Sequence, residues 1–377
     1  MDNTEKIRYT YGEYSELLRE DNKYLNSGSG QTIVYAYDAD GNILSKKVYA
    51  YTLDADLTVK TATTIPYAYS TDEEKKNFIT SYNGNAITSD DDGNFLTYNG
   101  WTYTWNDEGA LTAMGKTGTS MSFTYNEDGI RTSKTVNGVT TMYTLDGDKV
   151  ATETTGSQVI NYTYDSNDNL VFMAVGGQNY FYKRNIQNDI TDLLDSDMNV
   201  VASYTYDTWG KLISVTGNTT LGNLNPYRYR GYRYDTETGM YYLQSRYYEP
   251  GIGRFISPDS IDDTGYRPWG KNRFAYCDNN PVMYSDPTGK AVGEIILGLV
   301  LGLIVAWLVD GLLIAITGKS GAEWVAIGIS KLTNWVRRNW PKWVSRIKRY
   351  LPRIVRWGGV TILDIDLDLR INAEDRP

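Results

Sequence analysis

Aromatic and polar residues alternate along most of the chain in short blocks, each ending in an Asp, Asn or Gly turn. A Tyr-x-Tyr or related pair puts two rings on one face of a strand, because successive side chains of a strand point to opposite faces. The Gly or Asn that follows supplies the positive φ of a tight turn. Each block therefore predicts one β-hairpin, and their recurrence predicts a repeat architecture. The clearest blocks begin at Tyr35, Tyr103, Phe123, Tyr162 and Tyr204.

The rings of these blocks have two interpretations. Stacking of each hairpin on the next would use them only for structure, as in other repeat proteins. Tyrosine faces can also stack on sugar rings, which would make a cell-surface glycan a partner. Short helices are predicted over Tyr14–Tyr24 and from Ser70 to Glu74, where the polar residues suit a helix start.

Composition supports strands and narrows the chemistry. Of 377 residues, 33 are Tyr and 35 are Gly, whereas only 10 are Pro. The chain has no His and a single cysteine, Cys277. This excludes a Ser/His/Asp site, a His-ligated haem or zinc, and a C-x-x-C redox motif. We expect no cofactor and no metal, so any chemistry must come from carboxylates and phenols.

The composition changes abruptly near Lys290. Residues 1–290 hold all but one of the tyrosines, with 25 basic and 38 acidic side chains, a net charge of −13. Residues 291–377 hold six of the ten tryptophans, with 12 basic and 8 acidic side chains, a net charge of +4. The shift predicts a domain boundary at this point.

The Tyr-x-Tyr-Asp-x-x-Gly blocks resemble the YD repeats of bacterial RHS proteins and of the teneurin shell. The stretch from Tyr227 to Asp259, continued by Asn279-Asn-Pro281 and Asp286-Pro-Thr-Gly289, is similar to the RHS-associated core almost residue for residue. The resemblance implies a mainly β protein in which a spiral shell of hairpins is closed by the core. It also implies a toxic C-terminal domain, enclosed by the shell and released by self-cleavage after a D-P-x-G-L motif.

Four segments follow from the composition and the resemblance together. We expect a lead-in over residues 1–30, a YD-repeat β shell over 31–225 and an RHS-associated core over 226–290. A small, mainly α, variable domain is expected over 291–377.

The resemblance also implies a self-cleavage site. Carried over to this chain, the catalytic pair is Asp259 and Asp286, with Arg246 in support. Two carboxylates that share a proton can act as acid and base, because like charges push their pKa values apart. The alternative is that each Asp only caps a turn. Lys290 departs from the family pattern, since a charged side chain suits a leucine pocket poorly. Enzyme activity is therefore expected to be autoproteolysis at most.

The segment after residue 294 has a membrane-like pattern. Residues 295–309 carry no charge, and continuation to residue 317 gives 23 residues, enough to span a bilayer. Gly298, Gly302 and Asp310 fall on one helical stripe, which suits close packing or a pore. The alternatives are a buried helix or a linker.

The next segment is cationic. Ten basic residues and one acidic residue lie in 319–356, and Trp343 falls opposite Arg346 and Arg349 on a helix. This pattern predicts a helix on anionic lipid. Nucleic acid is a weaker alternative, because the apolar run would then have no role. Asp364, Asp366 and Asp368 alternate on a predicted strand, where a solvated face is favoured over a cation site.

The sequence thus favours an RHS-type toxin delivery and encapsulation protein with a membrane-active C-terminal effector. One alternative is an aspartyl self-cleaving core that releases a non-membrane tail, and another is a wall-associated carbohydrate-binding repeat protein. An immunity protein is an expected partner. We expect a secreted or cell-surface location by way of a longer parent or another export route, since Met1–Glu5 lacks the basic start of a signal peptide.

Overall fold

A computed structural model describes residues 7–166, 168–260, 272–290 and 293–294, all within the first of the two units of the chain, Met1–Leu299. Twenty strands form one antiparallel meander, in which each strand pairs with the next along the chain. They are β1 (Ile7–Tyr11), β2 (Leu17–Asn22), β3 (Gln31–Tyr37), β4 (Ile43–Ala50), β5 (Ala62–Tyr69), β6 (Ile79–Tyr82), β7 (Asn85–Ser89), β8 (Phe95–Tyr98), β9 (Trp101–Trp105), β10 (Leu111–Lys116), β11 (Thr119–Tyr125), β12 (Arg131–Val136), β13 (Val139–Asp146), β14 (Lys149–Thr155), β15 (Gln158–Tyr164), β16 (Leu170–Val175), β17 (Gln178–Arg184), β18 (Ile190–Leu194), β19 (Val200–Tyr206) and β20 (Leu212–Gly217).

The meander is followed by a compact core. Helix α1 (Thr219–Leu224) leads into a four-stranded antiparallel sheet of β21 (Arg233–Asp235), β22 (Met240–Tyr242), β23 (Tyr247–Glu249) and β24 (Arg254–Phe255). A last pair joins β25 (Tyr284–Ser285) to β26 (Gly293–Glu294). The mainly β class is confirmed. The sheet is open, since β1 and β20 are not paired with each other among the described residues.

The Asp or Asn after each aromatic pair builds the hairpin turn. In the first complete block, Asp38 Oδ1 accepts the backbone N–H groups of Asp40 and Asn42, both at 2.9 Å. The same two contacts recur around Asn126, to Asp128 and Ile130. A side-chain acceptor of this kind replaces a missing backbone partner in the turn. The repeat keeps Asp or Asn here because a short acceptor is needed at this position.

The second aromatic residue of a block ties its hairpin to the preceding one. Tyr125 Oη donates to Leu111 O at 2.7 Å, and Tyr206 Oη donates to Ile190 O at 2.8 Å. Trp105 makes the equivalent bond through Nε1 to Phe95 O at 2.7 Å. The ring packs against its neighbours while the polar tip satisfies a main-chain carbonyl, a combination that tyrosine and tryptophan provide.

Two expectations about the local structure are corrected or refined. The helix predicted over Tyr14–Tyr24 is wrong, because Leu17–Asn22 is a strand that pairs with both β1 and β3. Buried partners on both sides outweigh local helix propensity there. The helix start at Ser70 is limited to one 3₁₀ turn, Glu73–Lys75, whose N-cap Asp72 accepts the N–H of Glu74.

The first ring of each clear block is buried. Tyr35, Tyr103, Phe123, Tyr162 and Tyr204 are each at most 6% exposed. Their faces contact the protein interior, so these five rings serve packing and are closed to a sugar.

Buried ion pairs join the core to the hairpins. Arg131 on β12 and Asp235 on β21 form a two-pronged contact, with Nη1–Oδ2 at 2.7 Å and Nη2–Oδ1 at 3.1 Å. Lys134 lies 3.1 Å from the same carboxylate. Burial alone would raise the pKa of the Asp235 carboxyl, but Arg131 and Lys134 outweigh it and hold that pKa below its ordinary value. The core is therefore held in position by charge as well as by apolar packing.

The turn between β19 and β20 contacts the first strands of the sheet. Thr208 Oγ1 donates to the buried Glu20 carboxylate, and Trp209 Nε1 donates to Tyr35 Oη at 3.0 Å. Burial raises the pKa of Glu20 to about 7, although its bonds to Thr208 and Asn22 lower it. These side chains connect the two ends of the open meander.

Candidate functional site

The structure brings Arg246, Asp259 and Asp286 together in the core. Arg246 comes immediately before β23, Asp259 lies four residues after β24, and Asp286 follows β25. The two aspartates are 27 residues apart in sequence, so only the fold of the core makes them neighbours. Asp286 is 1% exposed, whereas the Asp259 side chain is 16% exposed.

The Arg246 guanidinium is the centre of this cluster. Its Nη2 lies 2.8 Å from Asp259 Oδ2 and 3.2 Å from Asp286 Oδ2. Its Nη1 donates to Arg273 O at 2.9 Å, and its Nε donates to Gly289 O. The ring of Phe255 lies 3.6 Å from the guanidinium carbon. Burial lowers the pKa of Arg246, while Asp259 and Asp286 act in the opposite direction; an arginine side chain nevertheless stays charged.

The two carboxylates are held close by a cation. Because both oxygens contact one nitrogen, their separation cannot exceed the sum of the two distances, about 6.0 Å. The guanidinium offsets part of the repulsion between the two acids, and the remaining repulsion favours one proton shared between them. The arrangement therefore supplies two carboxylates and a charged hydrogen-bond donor within reach of one main-chain carbonyl.

The Asp286–Gly289 segment is fixed by its backbone. The Asp286 N–H donates to Tyr232 Oη at 2.8 Å. Thr288 O accepts both the backbone N–H of Ser245, at 3.2 Å, and its Oγ, at 2.8 Å. Gly289 has φ of +71°, and a Cβ there would lie 2.7 Å from Leu243 O and Ser245 Oγ. Only glycine fits this position without displacement.

Lys290 and a neighbouring cavity complete the surroundings. Lys290 is exposed. A cavity of about 390 Å³ runs along Pro287 and Thr288 and is bounded by Gln244 and Arg233. Space large enough for water therefore lies beside two residues of the segment that precedes residue 290.

Sequence reasoning missed several groups that position the site. Tyr232, Ser245, Phe255 and the Arg273 carbonyl all contact the cluster or the segment beside it. Tyr232, Ser245 and Phe255 lie inside the stretch that resembles the RHS core. Their place in that stretch is the one feature of the sequence that could have pointed to a role at the site. No group of three or more Cys, Asp or Glu side chains suited to a metal ion is found in the described part of the chain.

The predicted membrane segment lies outside the residues that the structure describes. Gly298, Gly302, Asp310, Trp343, Arg346 and Arg349 all lie beyond the described residues. Within residues 7–166, 168–260 and 272–290, no helix has the length and apolarity of a membrane span.

The antiparallel meander of hairpins has Asp or Asn acceptors in its turns and tyrosine hydroxyls that bond back to the preceding hairpin. This is the architecture of a YD-repeat shell protein. The family model of the teneurin YD-shell matches residues 5–282. The chain belongs to the teneurin YD-shell family.

Known relatives include toxins. The chain is 35% identical over 293 residues to the tRNA3(Ser)-specific nuclease WapA of Bacillus spizizenii, covering 75% of this chain and 12% of that protein. It is 38% identical over 73 residues to the toxin protein Tse5 of Pseudomonas aeruginosa, covering 19% of this chain and 5% of that protein. The crystal structure of TcdB2-TccC3-TEV matches 75% of this chain and 18% of its own, with 18% identity and a TM-score of 0.45. This chain thus spans about an eighth of the length of WapA, and it is related to toxin-family proteins.

Proposed function

We propose that residues 7–290 are the shell end and self-processing core of a toxin-delivery protein, and that the core releases the segment beyond residue 290. The observation that carries the proposal is the Arg246 cluster, in which one buried guanidinium holds Asp259, Asp286 and the carbonyl of Gly289. The kinship with WapA and Tse5 supports the toxin-family role.

The two carboxyl groups would act as base and acid according to their different exposure to solvent. Asp259 keeps contact with solvent and is suited to take a proton from an attacking water. Asp286 is enclosed and, when it holds the proton shared by the two acids, is suited to protonate the departing amine. Arg246 would stabilise the charge that develops on the carbonyl oxygen, because its Nε–H already points at such an oxygen.

The released segment is proposed to act on membranes. The apolar run 295–317 and the cationic run 319–356 favour association with anionic lipid. An immunity protein would then protect the producing cell. A non-membrane tail is the alternative, and WapA illustrates it, since its name describes a nuclease. Binding of a surface glycan is weaker, because the first rings of the clear hairpin blocks are buried.

Intact mass of the purified chain tests self-processing. Wild type should separate into a shell fragment and a C-terminal fragment, whereas Asp259→Asn and Asp286→Asn should stay whole. Asp197→Asn is the matched control, since this side chain lies in the exposed turn between β18 and β19. An unprocessed wild-type chain, or processing of both variants at the wild-type rate, would contradict the proposal.

Leakage of dye from anionic vesicles tests the membrane role separately. The processed protein should release dye, and neutral vesicles should respond less because the cationic run loses its electrostatic attraction. Processing without leakage from either vesicle would favour the non-membrane alternative.

A further inference from the structure

Resting on the proposed self-processing, we propose that the bond cleaved is Gly289–Lys290, one residue before the position implied by the family motif. The motif places the cut after residue 290. In this chain the carbonyl held by the core is that of Gly289, and it belongs to the peptide bond between Gly289 and Lys290.

The first argument is the position of the hydrogen-bond donor. Arg246 donates to Gly289 O through Nε and contacts both carboxylates through Nη2. A rigid guanidinium therefore places the carbonyl and the two acids around one planar group. Catalysis of amide hydrolysis needs a donor at the oxygen that gains charge, together with a base and an acid nearby. The carbonyl of Gly289 meets these three conditions.

The second argument is the way the segment is fixed. Ser245 holds Thr288 O, and the absence of a Cβ lets Gly289 lie against Leu243 O. These contacts fix the backbone up to Gly289, the residue whose carbonyl accepts from Arg246. By contrast, Lys290 is exposed. A cut after residue 290 would rely on recognition of a side chain that is exposed in this structure.

The reaction is a hydrolysis with water as co-reactant. Water adds to the carbonyl carbon of Gly289 as Asp259 takes one of its protons, and Arg246 stabilises the oxygen that becomes negative. Asp286, which holds the one proton shared by the two acids before the reaction, gives that proton to the departing nitrogen as the carbon–nitrogen bond to Lys290 breaks. The products are a shell ending in the Gly289 carboxylate and a fragment beginning with the Lys290 amine. No oxidant or metal enters the balance.

The experiment determines the fragment ends of the full-length chain after processing, by N-terminal sequencing and mass. A C-terminal fragment that begins at Lys290 supports the inference. A fragment that begins at Ala291 overturns it and leaves the proposed function standing, since the two fragments differ by one lysine residue. A chain that stays intact overturns both.

The variant Lys290→Leu separates the two sources of specificity, because it restores the apolar residue of the family motif. If the hydrogen bond from Arg246 to the Gly289 carbonyl determines which bond is cleaved, the cut stays after Gly289, and the cleavage rate changes less than tenfold. If a leucine pocket decides the site, the cut moves to follow residue 290, which overturns the inference. Lys211→Leu is the control, as Lys211 is an exposed residue in the turn between β19 and β20.

Discussion

The buried contact between Arg131 and Asp235 makes a quantitative prediction about how the core is attached to the hairpins. The two side chains are 1% and 4% exposed, and the contact has two prongs of 2.7 and 3.1 Å. Asp235→Asn removes the charge but keeps the size, so it leaves Arg131 buried with an uncompensated charge. Breaking a buried pair in this way costs about 3–5 kcal/mol of the free energy of unfolding. Lys134 also loses its contact at 3.1 Å.

The assay is urea unfolding followed by tryptophan and tyrosine fluorescence, with midpoint and slope compared between variants. The control is Asp168→Asn, which breaks an exposed pair with Lys149 at 3.2 Å and should cost less than about 1 kcal/mol. The double variant Arg131→Met with Asp235→Leu should recover part of the loss, because apolar residues replace both charges. A loss for Asp235→Asn no larger than that of the control would refute the reasoning.

The same pair predicts a response to acid. The pKa of Asp235 is lower in the folded protein than its unfolded value of about 3.9, so its contribution is present above that pH. It is lost as the pH falls toward the folded pKa. Wild type should therefore lose more stability than Asp235→Asn on acidification below about pH 4. Equal acid sensitivity of the two proteins would contradict this linkage.

Three further outcomes are expected. Gly289→Ala should stop processing, because its Cβ would lie 2.7 Å from Leu243 O, whereas Gly129→Ala, at a similar φ with open space around it, should process normally. Burial raises the pKa of Glu20 to about 7, so as the pH falls from 8 to 4 the unfolding free energy of wild type should rise by roughly 3 kcal/mol more than that of Glu20→Gln. Tyr206→Phe should lower the unfolding free energy by about 1 kcal/mol, since it removes the bond to the preceding hairpin.

The hairpin blocks were predictable because their signals are local. The Tyr-x-Tyr alternation and the Gly or Asn residues of the turns are set by strand and turn geometry. The turns at Asn83-Gly84, Asn99-Gly100 and Asn137-Gly138 all have positive φ and lie between successive strands. These features need no information from distant parts of the chain.

The candidate site was predictable only through the resemblance. Asp259 and Asp286 lie in separate segments of the chain, and no local spacing brings them to Arg246. The contacts of Tyr232 and Ser245 with the 286–289 segment depend on the packing of the whole core. The strand Leu17–Asn22 was missed for a related reason, because its partners β1 and β3 stabilise it as a strand.

The most direct test of the account is the processing rate of Arg246→Met, measured by intact mass over time. Methionine keeps an unbranched apolar stem but removes every donor to Asp259, Asp286 and Gly289. The account predicts loss of processing with the shell still folded, as judged by its urea midpoint relative to Asp286→Asn. Processing of a folded Arg246→Met chain at the wild-type rate would contradict the claim that this guanidinium assembles the site.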